Sequence, residues 1–87
     1  MIESQFIIYS KEGSECPWCQ KAIDVLDNLG LSYIVKPLKL YQLKEVAKRA
    51  KMTTVPIIYH GALLIGGHKE LIEYIEDMTA LGEDPNV

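Results

Sequence analysis

Two cysteines form a possible redox pair within the sequence Cys16-Pro17-Trp18-Cys19, and the chain has no other cysteine. A disulfide that closes so short a loop restricts the unfolded chain very little, so a purely structural role is disfavoured. A four-ligand zinc site is also disfavoured, because the chain adds only His60 and His68 to the two thiols. The spacing therefore predicts a dithiol that cycles between reduced and disulfide forms.

The pair lies between a strand-like and a helix-like segment. Residues 5–10 contain a short apolar run that is typical of a strand buried on both faces. Pro17 suits the first position of a helix, where its missing N–H costs nothing, and Gly30 is placed to end that helix. Cys16 is thus predicted at a helix N-terminus, where free backbone N–H groups and the helix dipole favour the thiolate and lower the pKa of the thiol.

The position of each cysteine predicts its role. Cys16 at the helix terminus attacks a disulfide, and Cys19, one turn deeper and less exposed, resolves the mixed disulfide that results. Two carboxylates in the preceding loop, Glu12 and Glu15, oppose thiolate formation. We expect the helix N–H groups to dominate, because they contact the sulfur while the carboxylates can turn into solvent.

The rest of the chain alternates between strand and helix patterns. Further strands are predicted at residues 32–38, 55–59 and 62–65, and further helices at about residues 41–51 and after Gly66-Gly67. The order β-α-β-α-β-β-α predicts an α/β domain with a four-stranded mixed sheet and helices on both faces. The first three strands, which helices connect, are expected to be parallel. A tight turn at His60-Gly61 makes the fourth strand antiparallel to the third.

Length and composition predict one domain over residues 1–87, with residues 79–87 as a loosely ordered tail. A hydrophobic fraction of 48% is enough for one core. The net charge of −3 gives no support for binding to nucleic acid or to an anionic membrane. No apolar run approaches the length of a membrane span, and residues 1–5 contain no signal-like segment. We therefore expect a monomeric, cytoplasmic protein.

Four motifs resemble, in order and spacing, those of the glutaredoxin family, which has the thioredoxin-like fold. Tyr9-Ser10-Lys11 closes the first strand, and Cys16-Pro17-Trp18-Cys19 resembles the family's Cys-Pro-Tyr-Cys. Thr54-Val55-Pro56 resembles Thr-Val-Pro, and residues 66–71 resemble Gly-Gly-x-x-Asp-Leu. The resemblance implies a glutathione-dependent enzyme that reduces protein disulfides and glutathione mixed disulfides. Glutathione would be its co-substrate, with no bound cofactor.

The resemblance also implies which residues bind glutathione and a target. Pro56 is expected to follow a cis bond, which turns the backbone of Val55 toward the dithiol for pairing with a cysteinyl peptide. The last helix is expected to hold the γ-glutamyl end of glutathione, with Glu70 on its ammonium and Lys69 on its α-carboxylate. The predicted binding residues are Lys11, Trp18, Thr54, Val55, Pro56, Gly67, His68, Lys69 and Glu70, and no metal ligands are expected.

Several positions depart from the family pattern. Trp18 replaces tyrosine and either walls the site or packs against the loop. Lys11, expected at the glycyl carboxylate of glutathione, is separated from Cys16 by four residues where two are usual, and Thr53 replaces arginine. Lys69 also departs from the family's usual serine, threonine or aspartate. The inserted loop, Thr53 and Lys69 leave open a glutaredoxin-like electron donor fed by thioredoxin reductase, for example to ribonucleotide reductase. A non-enzymatic [2Fe–2S] carrier is a further alternative, although Pro17 stands where dedicated carriers favour glycine.

Overall fold

The computed structural model describes residues 5–13 and 15–78. In chain order its elements are β1 Phe6–Lys11, α1 Pro17–Asn28, β2 Tyr33–Leu38, α2 Leu40–Ala50, β3 Ile57–His60, β4 Leu63–Gly66 and α3 His68–Met78. The predicted element order is confirmed, and the predicted tail at residues 79–87 lies outside the described residues. No helix within the described ranges is long and apolar enough to cross a membrane.

The strands form one mixed sheet in the order β2-β1-β3-β4. Strand β1 is parallel to β2 and antiparallel to β3, and β4 is antiparallel to β3. The expectation that the first three strands are parallel was therefore wrong for β3. Leu38 at the end of β2 lies opposite Lys11, and Ile57 at the start of β3 lies opposite Tyr9. The connection between them leaves and re-enters the sheet at the same end, so β3 must run the other way.

Helices cover both faces of the sheet, as predicted. Successive strand residues point to opposite faces, and Ile57 and Ile58 accordingly join two different cores. One core contains Phe6, Ile8, Ala22, Leu26, Ile58 and Leu71, and it joins α1 and α3 to the sheet. The other contains Leu43, Ala50 and Ile57, and it joins α2 to the opposite face. Each fully buried leucine or isoleucine contributes roughly 1.5–3 kcal/mol, which fixes α1 firmly on the sheet.

The C-terminal end of α1 is held by a glycine turn and by a side-chain hydrogen bond. Gly30 has a φ of 68°, and the N–H of Leu31 donates to the carbonyl of Leu26 over 3.0 Å, so the helix ends in a Schellman motif as the glycine predicted. The Tyr33 hydroxyl donates to Asp27 over 2.8 Å. This hydrogen bond raises the pKa of Tyr33 above its ordinary value. The helix that carries the dithiol is thus tied to β2.

Candidate active site

The reactive pair lies at the N-terminus of α1. Cys16 is the N-cap residue, and Pro17 occupies the first turn as predicted. Cys16 and Cys19 form a disulfide, and the backbone N–H of Cys19 donates to Sγ of Cys16 over 3.2 Å. Cys16 is half-buried, whereas Cys19 is only 5% exposed. A thiol in solution can therefore approach Cys16 far more easily than Cys19.

The same helix terminus provides the means of activating Cys16 after reduction. An N-cap sulfur accepts hydrogen bonds from the N–H groups of the first turn and lies at the positive end of the helix dipole, and both favour a thiolate. Glu12 and Glu15, the carboxylates that oppose this effect, are exposed. Solvent screens their charges, whereas the Cys19 N–H contacts the sulfur directly.

The loop before β3 brings a second backbone segment to the site. The Val55–Pro56 peptide bond is cis, as the resemblance implied. Pro56 is buried, Val55 is half-buried and Thr54 is exposed. Trp18, Thr54 and Val55 line two cavities. These three residues therefore form the boundary between the cavities.

The smaller cavity has a volume of about 310 Å³. Its walls are Trp18, the segment Thr54-Val55-Pro56 and the start of α3, namely Gly67, His68, Lys69 and Glu70. The structure thus brings together every predicted binding residue except Lys11. The α3 wall presents a cation and an anion side by side, with backbone N–H groups at the helix start.

Glu70 also has a structural task that the sequence reasoning missed. Its Oε1 accepts a hydrogen bond from the backbone N–H of Gly67 over 2.9 Å, which satisfies one free donor at the start of α3. Gly66 has a φ of 124°, and a Cβ on it would lie 2.8 Å from the Cβ of Glu70. Glycine is therefore required at this position. The signal for the cap was the glutamate three residues after Gly67, the spacing of half a capping box.

Trp18 forms a wall between the cavities. Its side chain is 53% exposed, and its ring centroid lies 5.4 Å from the His68 ring. The Nζ of Lys21 lies 4.4 Å from the centroid of the indole, in a cation–π contact. The His68 contact holds the indole near the start of α3. The structure thus favours the wall interpretation of Trp18 over packing against the loop.

The larger cavity has a volume of about 560 Å³ and lies against α2. Beyond the three boundary residues it is lined by Leu40, Leu43, Lys44 and Ala47 of α2, with Lys11, Thr53 and Ile57. Lys11 therefore lies across the boundary residues from Glu70. Sequence reasoning missed the part played by α2, because Leu43 and Ala47 have the spacing of ordinary core positions and Leu40 precedes the predicted helix.

Comparisons with known proteins agree with this geometry. A family model described as Glutaredoxin matches residues 6–65, more than half of the chain. Glutaredoxin 3 of Escherichia coli strain K12 is 38% identical over 66 residues, covering 74% of this chain and 77% of that protein. Glutaredoxin-1 of variola virus is 32% identical over 78 residues, covering 78% of this chain and 69% of the viral protein.

Solved structures show the same fold. A solution structure of glutaredoxin from Brucella melitensis has a TM-score of 0.72 at 24% identity and covers 90% of this chain and 85% of its own. A buckwheat glutaredoxin–glutathione complex has a TM-score of 0.69 at 23% identity and covers 86% of this chain and 71% of its own. Together with the disulfide pair and the sequence matches, they lead to one assignment: the chain belongs to the glutaredoxin family of thiol–disulfide oxidoreductases.

Proposed function

We propose that the protein is a glutathione-dependent oxidoreductase that reduces protein disulfides and glutathione mixed disulfides. The observation that carries this proposal is the smaller cavity, whose walls combine Trp18 from between the two cysteines with the start of α3. Lys69 and Glu70 offer it opposite charges. A ligand with both an ammonium and a carboxylate at one end, and a thiol further along, would match these walls.

The γ-glutamyl end of glutathione carries such a pair of charges. Its α-carboxylate would meet Lys69 and the N–H groups at the start of α3, where a helix favours an anion. Its ammonium would pair with the second carboxylate oxygen of Glu70, while Oε1 keeps its bond to Gly67. The buckwheat glutaredoxin was crystallised as a complex with glutathione, which supports the same ligand here.

The rest of glutathione would pass along the boundary between the cavities. Its cysteinyl residue would lie beside the backbone of Val55, with the thiol toward Cys16. Its glycyl carboxylate would extend toward Lys11, on the far side of the boundary. An extended tripeptide spans about 10 Å, a length suited to crossing from one cavity into the next.

The proposed reaction is a sequence of thiol–disulfide exchanges. The Cys16 thiolate attacks one sulfur of a target disulfide, the target S–S bond breaks and the other target sulfur leaves as a thiolate. Cys19 then attacks Sγ of Cys16, which releases the second target thiol and closes the Cys16–Cys19 disulfide. The target has gained two electrons and two protons. Two glutathione molecules restore the dithiol through a mixed disulfide on Cys16 and leave as glutathione disulfide.

We further propose that this cycle runs in a reducing cytoplasm, where a glutathione pool keeps thiols reduced. The protein would act as a monomer. Ribonucleotide reductase is a proposed target on the family resemblance.

A comparison of two reducing systems tests the proposed function. NADPH oxidation is followed with a peptide disulfide as acceptor, using either glutathione with glutathione reductase or thioredoxin reductase alone. The Cys16→Ser variant supplies the background rate of each system. We expect turnover above background with glutathione only. Turnover with thioredoxin reductase and none with glutathione would overturn glutathione dependence and leave a thioredoxin-reductase-fed donor.

A further inference from the structure

Among the residues that the larger cavity does not share with the smaller one, glutathione is proposed to reach only Lys11. The rest of that lining comes mostly from α2 and has a different chemistry. The floor of the cavity is formed by the buried side chains of Leu43 and Ile57, and Leu40 stands at its rim with 52% of its surface exposed. Cavities of roughly 300–1,000 Å³ accommodate small ligands and large side chains, and this one is about 560 Å³. This apolar recess shares Trp18, the residue between Pro17 and Cys19, and Val55 with the smaller cavity.

The charge of the larger cavity also differs from that of the whole chain. The chain has 12 acidic and 9 basic residues and is therefore negative overall. Among the described residues that line this cavity, the charged ones are two lysines, Lys11 and Lys44, and none is acidic. Both lysines are exposed. The apolar floor thus has a positive rim, which favours a partner that joins an apolar side chain to a carboxylate.

We propose that the larger cavity is a specificity pocket for the target polypeptide. It binds a bulky aliphatic side chain located within two residues of the target cysteine, with an adjacent acidic residue placed on Lys44. This proposal rests on the proposed function, since it describes the target that Cys16 attacks. Two extended residues span about 7 Å, so a peptide paired with the backbone of Val55 can reach α2 with its next side chains.

Such a pocket acts while the target is bound to Cys16. The Cys16 thiolate cleaves the target disulfide and the other target sulfur leaves as a thiolate. One target cysteine is then linked to Sγ of Cys16, and its neighbouring residues enter the larger cavity. Cys19 then breaks that link and the target leaves reduced. Apolar burial and the Lys44 contact therefore increase kcat/KM for peptides of this composition and leave the electron balance of the cycle unchanged.

Two peptide disulfides test the proposal. Each substrate is a peptide homodimer linked by a disulfide between its single cysteines. The two peptides differ only at the two positions on each side of the cysteine. One peptide has leucine and glutamate at these positions, and the other has serine and glutamine. Rates with dithiothreitol correct for intrinsic reactivity. We expect the Leu/Glu peptide to have a kcat/KM about tenfold higher, the combined effect of partly burying one leucine side chain and forming one exposed ion pair with Lys44.

Matched variants of α2 test whether the preference for the Leu/Glu peptide comes from the larger cavity. Leu40→Ser is expected to reduce the ratio of the two kcat/KM values to about three, the share that the contact with Lys44 provides. Lys44→Gln is expected to reduce it about threefold, as for an exposed ion pair, with the loss growing smaller at high salt. Tyr41→Ser and Lys48→Gln are the controls, because both residues are exposed on α2 and lie outside the larger cavity. A ratio measured within each variant cancels any change in folded fraction.

The outcomes separate this proposal from the proposed function. If the protein turns over with glutathione but has equal kcat/KM values for both peptides, the specificity-pocket proposal is rejected and the proposed function stands. No turnover with glutathione and glutathione reductase on either peptide would instead overturn glutathione dependence. If Lys44→Gln slowed reduction of the glutathione–2-mercaptoethanol disulfide as much as that of the Leu/Glu peptide, the lysine would serve glutathione and the pocket would be rejected.

Discussion

The smaller and the larger cavity share Trp18, Thr54 and Val55, but their remaining walls come from different parts of two helices. The smaller cavity is closed by the end of a helix, the start of α3. The larger cavity is closed by the side of a helix, the face of α2 that carries Leu40 and Leu43. Two cavities that share Trp18 therefore differ in chemistry: the smaller one has a charged helix end in its wall, and the larger one has mainly apolar helix side chains.

The difference follows from helix geometry. The N-terminal end of a helix exposes backbone N–H groups and a positive dipole end, so it suits a small charged ligand. The side of a helix exposes only side chains, and every third or fourth residue lies on the same face, so its chemistry follows the local sequence. Under the two proposals, the helix end binds the γ-glutamyl end of the invariant reductant, and the helix side binds the variable target.

The largest effect on activity is expected from removing the sulfur of Cys16, which reacts with both glutathione and the target in the proposed cycle. Cys16→Ser should reduce the thiol-transfer rate to that without enzyme, because a serine hydroxyl cannot form the disulfide intermediate. Cys19→Ser should keep reduction of glutathione mixed disulfides and lose reduction of peptide disulfides. Both are measured by NADPH oxidation with glutathione reductase. Activity in Cys16→Ser together with none in Cys19→Ser would reverse the assigned roles.

A second substitution should damage the smaller cavity and leave the larger one intact. Gly66→Ala places a Cβ 2.8 Å from the Cβ of Glu70 at a φ of 124°. We expect it to reduce the free energy of unfolding by about 2–3 kcal/mol and to raise the KM for glutathione, because the Glu70 cap must move. Urea denaturation measures the first effect and steady-state kinetics the second.

Gly30→Ala is the matched control for that substitution. Gly30 also has a positive φ, of 68°, but a Cβ there meets nothing within 4 Å. Its cost should be about 1 kcal/mol, with the KM for glutathione unchanged. Equal destabilisation by the two substitutions would show that backbone conformation alone, and not the Glu70 contact, makes Gly66 necessary.

Features that depend on local sequence could be predicted, whereas features that depend on contacts between distant segments could not. Local patterns identified the elements, and Pro17 identified the helix start that makes Cys16 an N-cap. The residues of the smaller cavity were assembled by resemblance, because their motifs are separated by most of the chain. The direction of β3 was predicted wrongly, since a helical connection does not reveal that residues 39–56 start and finish at one end of the sheet.

The larger cavity could not be predicted for a different reason. The larger cavity lies between α2 and the segment before β3. Its size depends on how these distant segments pack, which local sequence patterns do not specify. Helical spacing assigned Leu43 and Ala47 to the core, and both do contribute to it or pack against it. A residue on the edge of a core has the same periodicity as one at its centre, so the pattern cannot distinguish them.

A third prediction separates the two tasks of Glu70. Glu70→Gln keeps an oxygen that can cap Gly67 but removes the charge proposed to hold the glutathione ammonium. We expect the KM for glutathione to rise about fivefold, as for an exposed ion pair. The free energy of unfolding should fall by only about 0.3–1 kcal/mol, because a negative charge is lost from the first turn of α3. Glu70→Ala should in addition reduce the free energy of unfolding by about 0.5–1 kcal/mol.

Glu73→Gln is the control for the charge change, since Glu73 is exposed on the same helix and lies outside the smaller cavity. It should leave both the KM and the denaturation midpoint as they are. If it raised the KM as much as Glu70→Gln does, the effect would come from the overall charge of α3 rather than from a contact with the ligand.

The smallest effect is expected at the wall that the two cavities share. Trp18→Ala removes the indole from both linings and from its contacts with Lys21 and His68. We expect kcat/KM to fall about threefold for a glutathione mixed disulfide and for the Leu/Glu peptide alike, because an exposed aromatic contact contributes about 0.5–1 kcal/mol. Trp18→Tyr keeps a ring there and should lose less. A loss confined to one substrate would assign Trp18 to one cavity, and the boundary would then depend on Thr54 and Val55 alone.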